Sequence, residues 1–179
     1  MEVIATAFAG LKILRSPRLG DARGDFMKLL HVPTFESAGL QFNVREIYTS
    51  ASRRGVIRGL HFQIPPHDHA KLVFCLRGAI FDVCVDLRRS SPTCGQHFAL
   101  RLDAEEGVGI LVPTGFAHGL QALLDDTIIV NVTSAEFAPQ FERGLAWDGC
   151  GIDWPILPPI VSDKDGAQPA LRDIGDFFS

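Results

Sequence analysis

"RGLHFQIPPHDHAKLV", residues 58–73, holds His61, His67 and His69, half of the chain's six histidines, and then Lys71. Side chains alternate between faces along a strand. In "HDHAKLVFC", His67, His69, Lys71, Val73 and Cys75 therefore share one face, and Asp68, Ala70, Leu72 and Phe74 share the other. A face that is polar at one end and apolar beyond it suits a barrel whose mouth is a site. A polar end that merely reaches solvent fits the alternation equally well. The histidines can be metal ligands, a catalytic base or polar filler in the wall.

The rest of the chain has the same character. Apolar runs rich in β-branched residues recur at "KLVFCL", "AIFDVCVDL", "HFALRL", "VGILV" and "TIIVNV", each followed by Gly, Pro or Asp. "LRGAI" reads as a tight hairpin corner at Gly78, while "RRSSPTCG" and "LDAEEG" read as polar loops. Short helices are expected at "TFESAGL" and in the tail "DIGDFFS". This pattern predicts an all-β fold, a jelly-roll β-barrel with short peripheral helices.

With 179 residues, 46% of them hydrophobic and 21% charged, the chain suits a single domain, residues 1–179, with a real core. A formal net charge of -4 gives no general reason to expect nucleic acid or an anionic membrane as partner. Cys75, Cys84, Cys94 and Cys150 lack zinc spacing and are expected to be reduced thiols, which suits the cytoplasm. No signal peptide is expected, and no apolar stretch is long enough to span a bilayer.

HxH at 67–69, followed by Gly107 and "PTGFAH" at 113–118, resembles the two-part pattern of the cupin barrels. Metal-binding cupins add a glutamate after the HxH. Here that region holds Lys71 and no acid, and an ammonium repels a divalent cation. The expectation is a cupin barrel without metal or other cofactor; a metal-dependent cupin is the reading it opposes.

Longer blocks narrow the reading. "RGVIRGLHFQ", "AKLVFCLRGAIFDVCVDLRRSSPTCGQ", "VPTGFAHGLQAL", "APQFERGLAWD" and "GIDWPI", with "DARGDF" and "VSDKD" near the ends, resemble the dTDP-4-dehydrorhamnose 3,5-epimerase family over roughly residues 10 to 166. The resemblance implies a metal-free cupin homodimer that epimerises carbons flanking the ketone of a nucleotide-diphosphate-linked 4-keto sugar. It assigns His61 as catalytic base and Asp165 as its orienting carboxylate. It puts Lys71 and His118 near the keto oxygen. Arg58 and Arg23 would contact the diphosphate, Arg23 by reaching across the dimer, and Glu142 in "APQFERG" would line the substrate pocket.

Those residue types suit the chemistry. Removing a weakly acidic proton beside a ketone needs a base that titrates near neutrality, which imidazole supplies. It also needs a cation for the developing enolate, and guanidinium forks for the diphosphate. Arg58 and His61 have opposite strand parity, so a regular strand would not aim both inward; Gly59 between them would permit a bulge. His67 and His69 lie outside the general family pattern and are not assigned to catalysis. Arg53 and Arg54 read as a solvated turn.

The chain departs from the family around the substrate. Asn131 stands where the family carries a tyrosine that delivers a proton to the opposite face of the sugar, and an amide does not titrate. Glu46 and Tyr48 replace a glutamine and an asparagine, Lys28 replaces an acid, and Phe137 holds an aromatic position near the nucleotide. Tyr48 is the chain's only tyrosine. It can supply the missing proton from a new position or only reshape the pocket. The expected activity is epimerisation at C3, C5 or both. Single-centre epimerisation or a related isomerisation, and a catalytically silent sugar-nucleotide-binding protein, are the alternatives.

Overall fold

The computed structural model describes residues 1–178. In chain order the strands are β1 (Glu2–Ala5), β2 (Lys12–Arg15), β3 (Leu19–Asp21), β4 (Gly24–Phe26), β5 (Glu46–Ser52), β6 (Ile57–Gln63) and β7 (Lys71–Arg77). They continue with β8 (Ala79–Asp86), β9 (His97–Asp103), β10 (Val108–Val112), β11 (Phe116–Ala122), β12 (Thr127–Thr133) and β13 (Glu142–Gly144). Short helices α1 (Val32–Ser37) and α2 (Asp163–Gly166) lie outside them.

Two sheets face each other as a cupin-type jelly roll. One has the order β1-β2-β10-β7-β12-β5, the other β13-β6-β11-β8-β9, and β3 and β4 form a separate hairpin. Between the sheets lies an apolar cluster including Val73, Cys75, Ile80, Cys84, Ile110, Phe116, Leu120 and Ile129. The outer faces are covered as well. Leu72, Phe74, Val130 and Val132 pack with Phe35 of α1 and with Leu29, Leu30 and Phe42. Leu60, Phe62, Val83 and Val85 pack with Trp147, Trp154, Phe177 and Phe178 from the C-terminal segment. Strands covered on both faces bury nearly every side chain, each worth about 1.5–3 kcal/mol for a large aliphatic or aromatic group. That is why "LVFCL" and "IIV" within these strands read as unbroken apolar runs.

Three local expectations change. Gly78 is a corner but not a hairpin: β7 pairs with β10 and β12, whereas β8 pairs with β9 and β11. The chain crosses between sheets there with Gly78 at φ +78, and a Cβ would lie 2.5 Å from Thr127 Oγ1. His67 is not on the strand, because β7 begins at Lys71; residues 67–70 form the approach to it. The tail has a single 3₁₀ turn at Leu171–Asp173, followed by non-helical backbone held by apolar packing and a bridge from Phe178 to Arg88. Ser179 lies outside the described residues.

The polar loop after β8 is closed by Asp86, which accepts from the Arg88 side chain, from Ser91 Oγ at 2.6 Å and from Thr93 Oγ1 at 2.7 Å. Burial alone would raise its pKa, but these donors pull it down to about 2.

Candidate active site

The open end of the barrel holds two cavities, of about 310 and 410 Å³, that share Tyr48, His61 and Lys71 in their walls. Both are in the size range of small-molecule sites. Strand alternation builds each wall. Glu46, Tyr48, Ser50 and Ser52 occupy one face of β5; Ile129, Asn131 and Thr133 one face of β12; Lys71 begins the inward face of β7. On the facing sheet, β6 supplies Arg58, His61 and Gln63, and β11 supplies His118 and Leu120.

Arg58 and His61 both reach the site because β6 is irregular between them. Register runs from His118↔His61 to Leu120↔Arg58, so Gly59 and Leu60 together oppose Gly119 alone. That extra residue reverses the parity of the strand. Gly59 has φ +118, and a Cβ on it would stand 2.6 Å from Gly119 Cα, so only glycine fits the bulge.

His61 Nε2 lies 2.6 Å from Asp165 Oδ1. Asp165 is fixed from two sides: Ser162 Oγ caps α2 by accepting its N–H, and Asp165 Oδ2 accepts the Gly59 N–H at 3.2 Å. Burial would raise the Asp165 pKa, but the bond to His61, the Gly59 N–H and the charges of His61 and Lys164 together outweigh it and hold the carboxyl below its usual range. An ionised carboxylate can only accept, which assigns the proton to His61 Nε2 and leaves Nδ1 as the ring's lone pair.

Facing this base is Lys71. Burial pushes its ammonium down to about 8, against the opposing pull of Cys84, Glu142 and Asp82. It remains mostly cationic at neutral pH. His118, 6% exposed, is bonded through Nε2 to Asp82 Oδ2 at 2.8 Å. Its hydrogen-bond partner Asp82 is a site residue absent from the sequence-based assignment, although an acid at an inward position of "AIFDVCVDL" was the available signal.

Other assigned residues fall into the same walls. Glu46, Phe137 and Glu142 line the first cavity, and Arg58, His118, Asn131 and Asp165 the second. Glu46 accepts the Phe137 N–H at 2.9 Å, and Glu142 accepts from Lys164 Nζ at 2.6 Å. Arg58 is oriented by Ser52 Oγ at 2.9 Å and the Ala51 carbonyl at 3.0 Å. Arg23 is the exception. It stands at the exposed tip of the β3–β4 hairpin, paired with Asp21, and lines neither cavity. Lys28 lines neither cavity and gives its carbonyl to Ser16 Oγ. Arg53 and Arg54 are exposed.

The histidines of the HxH motif part company. His67 stacks on Phe141 with ring centroids 4.3 Å apart. His69 enters the cavity wall with Nδ1 3.0 Å from Gln63 Nε2, and burial, aided by Lys71, lowers its pKa to about 4. Gln63, also unassigned from sequence, pins this rim by accepting the Ala138 N–H and donating to the His67 carbonyl. Among the described residues one trio could ligate a metal: Asp82, Cys84 and His118, with donor atoms within 4.8 Å of one another. It is closed on itself by the Asp82–His118 bond, and burial raises the Cys84 thiol well above its ordinary range. The thiolate that a soft metal needs is disfavoured there.

A buried carboxylate–imidazole base facing an ammonium, inside a cupin-type barrel, defines a site for proton abstraction beside a carbonyl. The family model for dTDP-4-dehydrorhamnose 3,5-epimerase matches residues 5–173. The dTDP-4-dehydrorhamnose 3,5-epimerase of Sinorhizobium fredii (strain NBRC 101917 / NGR234) is 38% identical over 176 residues, covering 96% of this chain and 90% of that one. The crystal structure of dTDP-6-deoxy-D-glucose-3,5-epimerase from Legionella pneumophila, in complex with dTDP-4-keto-L-rhamnose, superposes with a TM-score of 0.92 at 32% identity. The match covers 97% of this chain and 94% of that one. A 3'-monoepimerase from Streptomyces bikiniensis, in complex with dTDP-quinovose, gives 0.89 at 31% identity, covering 94% and 87%. The chain belongs to the dTDP-4-dehydrorhamnose 3,5-epimerase family.

Proposed function

We propose that this protein is an isomerase that epimerises a nucleotide-diphosphate-linked 4-keto-6-deoxy sugar at C3, C5 or both. The observation that carries the reading is the His61–Asp165 pair at 2.6 Å, across a shared cavity from Lys71. His61 Nδ1 takes the proton from the carbon next to the ketone, and the C–H electron pair moves into an enolate. Lys71 and His118 hold the enolate oxygen, and Asp165 steadies the imidazolium. Arg58 binds diphosphate oxygens, while Glu46, Phe137 and Glu142 contact the nucleotide sugar. Neither metal nor other cofactor takes part.

The same reading makes the chain one cupin domain acting as a cytoplasmic homodimer, with its four free cysteines kept reduced. Its surface supports dimerisation. Ile47 on the edge strand β5 is 63% exposed and Val44 beside it 41%, and covering such an edge removes an unpaired apolar strand. Arg23, at the tip of a projecting hairpin, then serves the partner's site. Single-centre epimerisation is the second reading, favoured by Asn131, a non-titrating amide 4% exposed in the cavity wall.

Solvent deuterium exchange tests the core of the proposal. On dTDP-, CDP- and GDP-linked 4-keto-6-deoxyhexoses, wild type exchanges an α-proton on at least one, and His61→Asn lowers that rate 10²- to 10⁴-fold. Exchange surviving in His61→Asn within a factor of about two would show that another group is the base. No exchange by wild type would favour the silent binder.

A further inference from the structure

Inverting a carbon requires a proton to leave one face and another to arrive on the opposite one. His61, on β6, serves one face. The donor must project from the facing wall, formed by β5, β12 and β7. The side chains that wall presents are Glu46, Tyr48 and Ser50 from β5, Ile129, Asn131 and Thr133 from β12, and Lys71 from β7. Few of them can give up a proton. Ile129 has none to give, the Asn131 amide does not titrate, and Thr133 Oγ1 is bonded to the Ala135 carbonyl at 2.9 Å. Ser50 carries an aliphatic hydroxyl, far too weak an acid. The Glu46 carboxylate is engaged as the acceptor of the Phe137 N–H. Lys71 is committed to the enolate oxygen, and it must keep its own proton to hold that charge until the carbon is reprotonated.

Tyr48 remains. Its hydroxyl makes no hydrogen bond among the described residues, and it lines both cavities, where its proton can exchange with water between turnovers. Burial, with the negative charges of Glu46 and Glu142, holds the phenol above its ordinary range, so it stays protonated at neutral pH.

Register adds an independent observation. Tyr48 on β5 pairs directly with Asn131 on β12. Directly opposed residues in an antiparallel pair point to the same face with Cα atoms about 4.5–5.5 Å apart. In the resemblance described above, the family carries tyrosine at the position of Asn131 and asparagine at that of Tyr48. Here the two residue types have traded places across one strand pair, on the face that looks into the cavity. The site keeps a phenol and an amide, but the phenol sits one strand nearer the sheet edge.

We propose that Tyr48 is a catalytic residue of this enzyme, the proton donor to the carbon face opposite His61, in place of the tyrosine absent at 131. The inference rests on the epimerase reading above. After His61 Nδ1 has taken the α-proton, the enolate's carbon–carbon π electrons form a new C–H bond with the Tyr48 hydroxyl proton. The ketone re-forms, and the tyrosinate regains a proton from water while the His61 imidazolium returns one. Atoms and charge balance over the cycle without a further reagent.

The test measures net inversion and deuterium wash-in together, on whichever of the three sugar nucleotides wild type exchanges fastest. Tyr48→Phe breaks no protein hydrogen bond, so it leaves the fold and thermal unfolding unchanged. It keeps α-proton exchange within about threefold and lowers inversion at one or both flanking carbons by about 10²-fold or more. Moving the phenol back, with Tyr48→Asn and Asn131→Tyr together, raises inversion at least tenfold over Tyr48→Asn alone. An unchanged ratio of inversion to exchange in Tyr48→Phe overturns the proposal while leaving His61 as base. Undiminished exchange in His61→Asn shows that another group is the base, and absent exchange in wild type removes the epimerase reading; both failures are read apart from Tyr48→Phe.

Discussion

Lys71→Met should make the protein more stable and less active, with both effects traced to one ammonium. Transfer into the barrel lowers the lysine pKa from an ordinary 10.5 to about 8. Each tenfold change in proton affinity is worth about 1.4 kcal/mol, so holding this charge costs about 3 kcal/mol of folding free energy at pH 7. A methionine of similar length fills the same space without that cost. The sign follows from linkage: the unfolded chain binds this proton more tightly than the folded one. The cost is therefore fully present below pH 8 and disappears as pH rises toward 10.5. Urea denaturation at pH 7 should show the variant more stable by up to about 3 kcal/mol, with the gap narrowing steadily between pH 8 and 10.5. Epimerisation should fall by about 10²- to 10³-fold, the cost of removing one donor from a developing oxyanion. Wild-type activity should also decline above pH 8 as Lys71 loses its charge. If Lys71→Met were no more stable than wild type at pH 7, or the difference did not change with pH, the buried-cation argument would be wrong.

Two further outcomes follow from the site's construction. Gly59→Ala forces a Cβ to within 2.6 Å of Gly119 Cα at φ +118. It should cost at least about 1–3 kcal/mol and swing Arg58 and His61 out of alignment, so activity falls further than the stability loss explains; unchanged kcat/KM in a folded variant would contradict the bulge's role. Prolonged dialysis against EDTA should leave the epimerase rate unchanged, because Lys71 occupies the region of the acidic cupin ligand; loss of activity restored by one metal per chain would reverse that conclusion.

Much of the candidate site is legible in local sequence because it rests on short blocks. "RGLH", "AKLV", "GFAHG" and "SDKD" carry His61, Lys71, His118 and Asp165, and all four line the cavities. The all-β reading is legible for a related reason. Strands covered on both faces become apolar runs, and turn residues mark their ends. The strands at or next to the sheet edges were less visible. β1, β2 and β5 carry mixed burial patterns and give no clean alternation.

What local sequence determined by itself is therefore the residue inventory, the strand-rich class and the alternation that turns Lys71 inward with Val73 and Cys75. Tertiary structure alone decided which of those residues meet. The parity of β6 excluded Arg58 and His61 from one wall until the two-against-one pairing with Gly119 reversed it. Gly78 looked like a hairpin but carries the chain between sheets, since pairing partners are chosen by strands far away in sequence. Asp82 became the partner of His118 across 36 positions, and Tyr48 met Asn131 across 83, only when strand register was fixed. Alternation is a property of neighbouring residues, whereas register is set by long-range packing, and it is register that assembles this site.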